Sequence, residues 1–305
     1  MTPISVIIPV RNEGEAIVRT IESIVRGRCS PFPLEIIVVD DASTDGACDS
    51  LGAATETASE VSLIVRRLDR WCGIPYARNR GAEAASYPIY VMTDGNTLFP
   101  LGWDLPLRHN FGRSRLLAGT IVDMTSPVRG FGCALVLPSM GVSWIPTPGL
   151  YGGYVPVTAC ACTVIDRSLF HHLGGYDESL PLYGAAEPEF SVRAWLSGYE
   201  IVNLPDLLIR HRFRPEAEQD AFCASINPLL IRNFLRFSCY YLPEDLLTRT
   251  YDYYAALSPD DFDSCMSELV RGGVWTRREQ LHKELPMDFR WFARKFGLAE
   301  LATKG

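Results

Sequence analysis

An α/β fold on a mostly parallel sheet, with helices on both faces and a helical C-terminal extension, is what this chain predicts. Three observations carry that reading. Two apolar β runs, residues 5–10 (SVIIPV) and 34–39 (LEIIVV), flank an amphipathic helical pattern over 13–25. The strand–helix alternation then resumes at 62–65, 75–85 and 89–92, as in sheets built from βαβ units. From about Glu216 the β runs stop and helical spacing takes over.

Both leading runs are apolar without alternation, which favours strands covered on two faces. In the helix between them Ile17, Ile21 and Ile24 form one stripe. Asn12 is a candidate N-cap for that helix. The second run ends on Asp40 and Asp41, followed by a small polar turn, Ala42-Ser43-Thr44-Asp45-Gly46. A carboxylate is costly to bury unpaired, so both should meet a cleft, a cation or hydrogen-bond donors. Open α/β sheets bind ligands at this carboxyl edge. The plainer alternative is that one caps the next helix and the other is solvated.

Further along, residues 118–153 are rich in Gly and Pro and read as strands and loops. Residues 157–165 read as a central strand. Asp166-Arg167-Ser168 opens a short helix closed by Gly174-Gly175. Residues 188–196 form a helix with Phe190, Ala194 and Trp195 inward. The chain divides at 215 into a first, α/β domain, 1–215, and an extension, 216–305. In the extension Leu229, Leu230, Phe234 and Phe237 recur at helix spacing, as do Phe289, Phe292 and Phe296. Pro243-Glu-Asp and Ser258-Pro-Asp-Asp mark helix starts. Tyr240, Tyr241, Tyr251, Tyr253, Tyr254, Trp275 and Trp291 are dense for a mere cap. Packing on the first domain as the wall of an acceptor cleft explains them. A homodimer or a peripheral membrane surface is the alternative.

Composition narrows the class. The chain has 305 residues, 21% charged and 47% hydrophobic, with a net charge of −7. An acidic balance argues against a nucleic-acid binder. Arg210, His211, Arg212 and Arg214 form a short basic exception that suits a phosphate or a partner. Nine cysteines, an odd number with no CxxC pair, fit a reduced, cytoplasmic protein. Cys160 and Cys162 read as small hydrophobes of a buried strand. No apolar run approaches the ~20 residues of a membrane span, so membrane contact would be peripheral.

Six segments, in order, bring a family into view. They are SVIIPVRNE with IESI, IIVVDDASTDG, GIPYARNRG, YVMTDGNTLFPLGW, CTVIDRSLFHHLGGYDE with YGAAEPEFSVRAWLSGYEI, and LPDLLIRHRFR. Together they resemble family 2 glycosyltransferases of the inverting GT-A group. The later ones are similar to polypeptide N-acetylgalactosaminyltransferases. The resemblance covers roughly residues 5–215. It implies a GT-A nucleotide-sugar fold and transfer from a nucleotide-sugar donor, UDP-linked by preference. The acceptor would be a glycan, a peptide or a small molecule.

The resemblance also implies roles. Pro9, Val10, Arg11 and Glu13 would line the base pocket. Asp40 or Asp41 would accept hydrogen bonds from base and ribose, with the motif register favouring Asp40. Arg78 would sit at the diphosphate, where a guanidinium can donate two parallel hydrogen bonds. Mn²⁺ or Mg²⁺ would neutralise the leaving diphosphate. Counted from Trp103, its triplet is Asp94-Gly95-Asn96, with Gly95 near the donor and His211 as a late ligand. Counted from Pro100, the main ligand falls on Gly95 and is absent. Tyr183, Gly184 and Trp195 would contact the acceptor. The general base falls on Glu187, with Ala186 where the family carries a Glu. These departures keep a second reading open, a GT-A pseudoenzyme that binds without turnover. A nucleotidyltransferase is a third. A dinucleotide-dependent dehydrogenase would want G-x-G-x-x-G after the first strand, and residues 9–14 have none.

Overall fold

The first βαβ unit forms as its pattern dictates. β1 (Ile4–Val10), α1 (Ala16–Gly27) and β2 (Leu34–Asp40) follow in order, with β1 and β2 parallel and Ile4 opposite Leu34. The computed structural model describes residues 2–49, 51, 60–159 and 161–298. Ile17, Ile21 and Ile24 all lie fully buried on the sheet side of α1. The cap differs from expectation. Asn12 adopts a left-handed conformation (φ 55°), and its Oδ1 accepts from Thr44 N at 2.8 Å. Its side chain ties the 42–45 turn to the end of β1, so α1 begins at Ala16 without a side-chain cap.

β3 (Val61–Arg67), α2 (Ile74–Ala84) and β4 (Ile89–Met92) complete a parallel run ordered β3-β2-β1-β4. Next come β5 (Thr97–Leu98), α3 (Asp104–Asn110), β6 (Arg115–Asp123), β7 (Arg129–Gly130), β8 (Cys133–Val136) and β9 (Gly141–Trp144). β10 (Thr163–Asp166), α4 (Arg167–His172), α5 (Ala186–Leu196) and β11 (Glu200–His211) follow. The sheet continues β4-β10-β6-β11-β5. Here β10 is antiparallel to β4 and β6, and β11 is parallel to β6 but antiparallel to β5. The parallel half is thus the part with βαβ alternation; the rest is mixed.

The central strand read over 157–165 shortens to β10. Val157 makes only an isolated bridge, to Cys133, and Cys160 lies outside the described residues. Cys162 is a buried hydrophobe as expected, its thiol pushed up to about 12 by burial. The eight described cysteines are free thiols. Asp166 caps α4, accepting from Ser168 N and Leu169 N.

Alternate residues of β2 feed opposite cores, as the two-residue period requires. Ile36 and Val38 join Ile17, Ile21, Trp103 and Leu107 under α1 and α3. Ile37 and Val39 join Ala77, Phe190 and Trp195 on the other face, and this core runs on into Ile231, Leu235, Phe237 and Phe292 of the extension. The extension comprises α6 (Glu216–Ser225), α7 (Asn227–Tyr241), α8 (Glu244–Leu257), α9 (Pro259–Arg271), α10 (Val274–Glu284) and α11 (Phe289–Lys295). Both predicted starts hold, and Ser258 Oγ donates to Asp261 Oδ2 at 2.7 Å. The extension shares a core with the sheet, as its aromatic density predicts. Among the described residues no helix is long and apolar enough to cross a membrane.

Candidate active site

The sheet brings the ends of β1, β2, β4 and β11 together at one edge. Asp94 lies just beyond β4, its carbonyl held by Thr97 Oγ1 at 3.0 Å. The pairing of β5 with β11 sets His211 opposite Thr97. His211 Nε2 then stands 3.6 Å from Asp94 Oδ2, and its ring packs on Phe213. Two residues seven strands of sequence apart are thereby side by side because the register places them there.

Arg78 of α2 organises the other half. Its guanidinium is fully buried, yet it donates to Glu187 Oε1 at 2.5 Å and to Asp94 Oδ1 at 3.0 Å. It also reaches Tyr176 Oη at 3.2 Å and lies over that ring. Burial pushes the Tyr176 phenol up to about 12. A buried guanidinium needs such compensation, and two carboxylates in a fork supply it. Arg78 was expected at a diphosphate. Its donors are directed at Glu187 and Asp94.

The strand-end aspartates meet donors from the chain itself. Asp40 Oδ1 accepts from Ser43 N at 2.8 Å, with Arg67 Nε 3.6 Å from Oδ2. Asp41 accepts from Cys72 N and Gly73 N, each at 2.7 Å. Burial raises its pKa above the usual carboxylate range, against those two N–H groups and Arg11. Neither aspartate is solvated, which removes the plainer alternative. Arg11 donates to the carbonyls of Asp41 and Ala42, 2.7 Å each, and lies over Trp71 at 4.7 Å. That pair offers a flat, charged wall beside the half-buried Pro9.

Val10 is buried, and its side chain and that of Glu13 crowd Gly95. A Cβ there would stand 3.2 Å from each. Burial raises the pKa of Glu13 first and Asp94 adds to it, while Arg214, Arg212 and His211 oppose the shift. Arg212 lies 3.7 Å from the Glu13 carboxylate. Glu13, Asp94 and His211 therefore share one neighbourhood. Among the described residues no three His, Cys, Asp or Glu side chains form a metal-holding group. The Asp94–His211 pair remains, and Asn96 Oδ1 is buried without a hydrogen-bond partner. Carboxylate, imidazole and amide oxygen suit Mn²⁺ better than Mg²⁺, so the residues present fit a divalent cation.

Of the acceptor candidates, Tyr183 and Gly184 lie beside the extension. Tyr183 packs on Phe222, with ring centroids 5.4 Å apart, and Gly184 abuts Leu230. Trp195 is a correction. It is 2% exposed, its Nε1 donates to Val155 O, and Tyr154, Trp291 and Phe296 surround it. The extension covers that face of α5, so no acceptor can reach it. Glu189 pairs with Arg193, in a buried cluster with Tyr241. Tyr176, Trp71 and Phe222 escaped the sequence reading as site residues; only their places within or near the motifs hinted at them. Two cavities, of about 290 and 570 Å³, lie around Asn79, Tyr176 and Arg277 and around His282 and Trp291.

Comparison with known proteins bears on this arrangement. Residues 5–126 match the Glycosyl transferase family 2 model. Polypeptide N-acetylgalactosaminyltransferase 8 of Drosophila melanogaster is 28% identical over 260 residues, 79% of this chain and 44% of the relative. The inactive polypeptide N-acetylgalactosaminyltransferase-like protein 5 of Macaca fascicularis is 29% identical over 258 residues, 79% of this chain and 57% of the relative. This chain thus spans about half the length of these relatives. The solved structure of GalNAc-T7 with UDP, GalNAc and Mn²⁺ superposes with a TM-score of 0.75 at 20% identity, over 99% of this chain and 58% of that one. With the strand-end carboxylates, the arginine fork and the Asp94–His211 contact in place, residues 5–126 match the family 2 glycosyltransferase model and the chain has the GT-A fold.

Proposed function

We propose that this chain moves a sugar from a UDP-linked donor to an acceptor hydroxyl at the Asp94–Glu187 cleft. One observation carries the reading: Arg78 holds Asp94 and Glu187 in a single fork, with His211 at the far oxygen of Asp94. A cation ligand and a candidate base thus stand at a fixed separation.

Asp94, His211 and Asn96 would hold the divalent cation. Bound there, it supplies positive charge to the departing diphosphate. The other steps belong to side chains. Arg11 and Trp71 receive the nucleoside; Asp41 fixes the 72–73 backbone beneath it. Glu187 takes the proton of the acceptor hydroxyl. The oxygen then bonds to the anomeric carbon, and the bond to the diphosphate breaks with its electron pair leaving on UDP. A single displacement of this kind inverts the anomeric centre. Acceptor class stays a glycan, a peptide or a small molecule.

A second reading has its own observation. Arg78 pairs with both carboxylates at once, and among the described residues no three His, Cys, Asp or Glu side chains form a metal-holding group. A domain that binds nucleotide without turnover would look the same. Incubation with UDP-, GDP- and dTDP-sugars, with and without Mn²⁺, separates the two. UDP release with Mn²⁺ and an inverted product supports transfer. UDP binding without release supports the pseudoenzyme. A retained product removes Glu187 from the base role, and no nucleotide binding overturns both readings.

A further inference from the structure

The segment before Glu187 is unusually contorted. Leu182, Gly184 and Ala185 all have positive φ, at 62°, 83° and 63°. Left-handed backbone at Leu and Ala is strained, and such strain persists only where surroundings impose it. Two sets of contacts impose it here. From the nucleotide side, Leu182 N donates to Cys72 O and Leu182 O accepts from Ile74 N. Gly73 presses so closely that a Cβ would lie 2.1 Å from Leu182 Cα. From the extension, Asn233 of α7 donates both amide hydrogens, to Pro181 O at 2.9 Å and Tyr183 O at 3.0 Å. Leu230 and Phe234, on the same face of α7, close over Gly184.

Asn233 is fully buried, and its Oδ1 has no hydrogen-bond partner. A buried unsatisfied amide oxygen is destabilising. What the amide does is bridge two carbonyls that flank Leu182, two hydrogen bonds no aliphatic residue can make.

We infer that Asn233 is a positioning residue of the C-terminal extension: it clamps the 181–185 turn so that α5 presents Glu187 to Arg78 and the cleft. The inference rests on the transferase reading given above. It makes the site a joint product of the first domain and the extension, since the turn is gripped from both. Asp41 acts from one end through the 72–73 backbone, and Asn233 acts from the other.

The test uses the full chain and three variants. Asn233→Leu keeps the volume and removes the clamp. Asn233→Ser retains one donor and serves if the leucine variant does not fold. Leu269→Ala opens a hole in the core of the extension, on α9, without touching the clamp's hydrogen bonds, and controls for loose packing. Two quantities are read: UDP-sugar turnover per UDP-binding site, and backbone hydrogen exchange by peptide. In Asn233→Leu, turnover per site should fall about 10²-fold with donor KM nearly unchanged, as for a misplaced catalytic group. Peptides covering 181–186 should exchange faster. Leu269→Ala should speed exchange in α7 and α9 only, with turnover per site retained. Unchanged turnover per site in Asn233→Leu, or equal acceleration of 181–186 in the control, overturns the inference. A parent that binds UDP without turnover overturns the transferase reading, and the exchange comparison still decides the clamp.

Discussion

Helix α5 carries two glutamates two residues apart, and each is paired with a buried arginine, yet the two pairs are built to different ends. Glu189 meets Arg193 through two parallel hydrogen bonds of 2.8 Å, and Tyr241 donates to it at 2.6 Å. Arg193 gives its remaining donors to the carbonyls of Leu173 and Gly175. The charges there are 2% and 9% exposed, and the cluster is closed. Glu187 meets an arginine that is shared with Asp94, and the two carboxylates remain 16% and 19% exposed. In the closed pair the hydrogen bonds run between the partners and to the surrounding protein. A shared arginine leaves its two carboxylates partly open to solvent, and that difference supports Glu187 as the base proposed above.

Substitution can break this contrast. Glu187→Gln keeps the shape but cannot take a proton. Transfer should fall ~10²–10⁴-fold, with UDP affinity by calorimetry little changed. Full activity in that variant would move the base elsewhere. Glu189→Gln should do the opposite. Leaving Arg193 underpaired in the core should cost ~3–5 kcal/mol of stability, read from urea midpoints, while turnover per folded molecule holds. A stable but inactive Glu189→Gln protein would erase the distinction.

Two smaller effects sharpen it. His211→Ala should weaken Mn²⁺ binding at least ~10-fold, by analogy with the loss of a supporting partner in metal sites, and leave UDP binding in EDTA unaltered. Equal Mn²⁺ affinity would exclude His211 as a ligand. Tyr241→Phe removes one hydrogen bond to a charged group in the closed cluster. A loss of ~1.5 kcal/mol without a change in kcat is expected, and a change in kcat would show that the two clusters are coupled.

Most of the fold could be read ahead. β1, α1, β2, α2 and the helices of the extension have periodicity or turn chemistry within a dozen residues, and local signals find such elements. β6 and β11 were not legible as partners, because their pairing is set by residues far apart in the chain. The site divides in the same way. Arg78 joins Asp94 to Glu187, and His211 stands against Asp94. Asn12 and Trp195 went elsewhere for one reason: a side chain's destination depends on its tertiary neighbours. Asn12 found the 42–45 turn, and Trp195 found the extension. The fork of Arg78 could not be foreseen either, since α2 and α5 meet only in the folded chain.

The long β6–β11 ladder has a consequence for the order in which this molecule assembles. Ser5 and Glu35, on the paired β1 and β2, are 30 residues apart, whereas Asn203 and Ala118, on β11 and β6, are 85 apart. Chain-closure entropy makes the second pairing about 1 kcal/mol harder to initiate. Nucleation should therefore favour the N-terminal strands, with β11 zipping on late. His211 stands at the far end of that ladder, opposite Asp123. A newly made chain would thus form its β1–β2 edge before Asp94 and His211 meet, and pulse-labelled amides of β1 and β2 should be protected before those of β11.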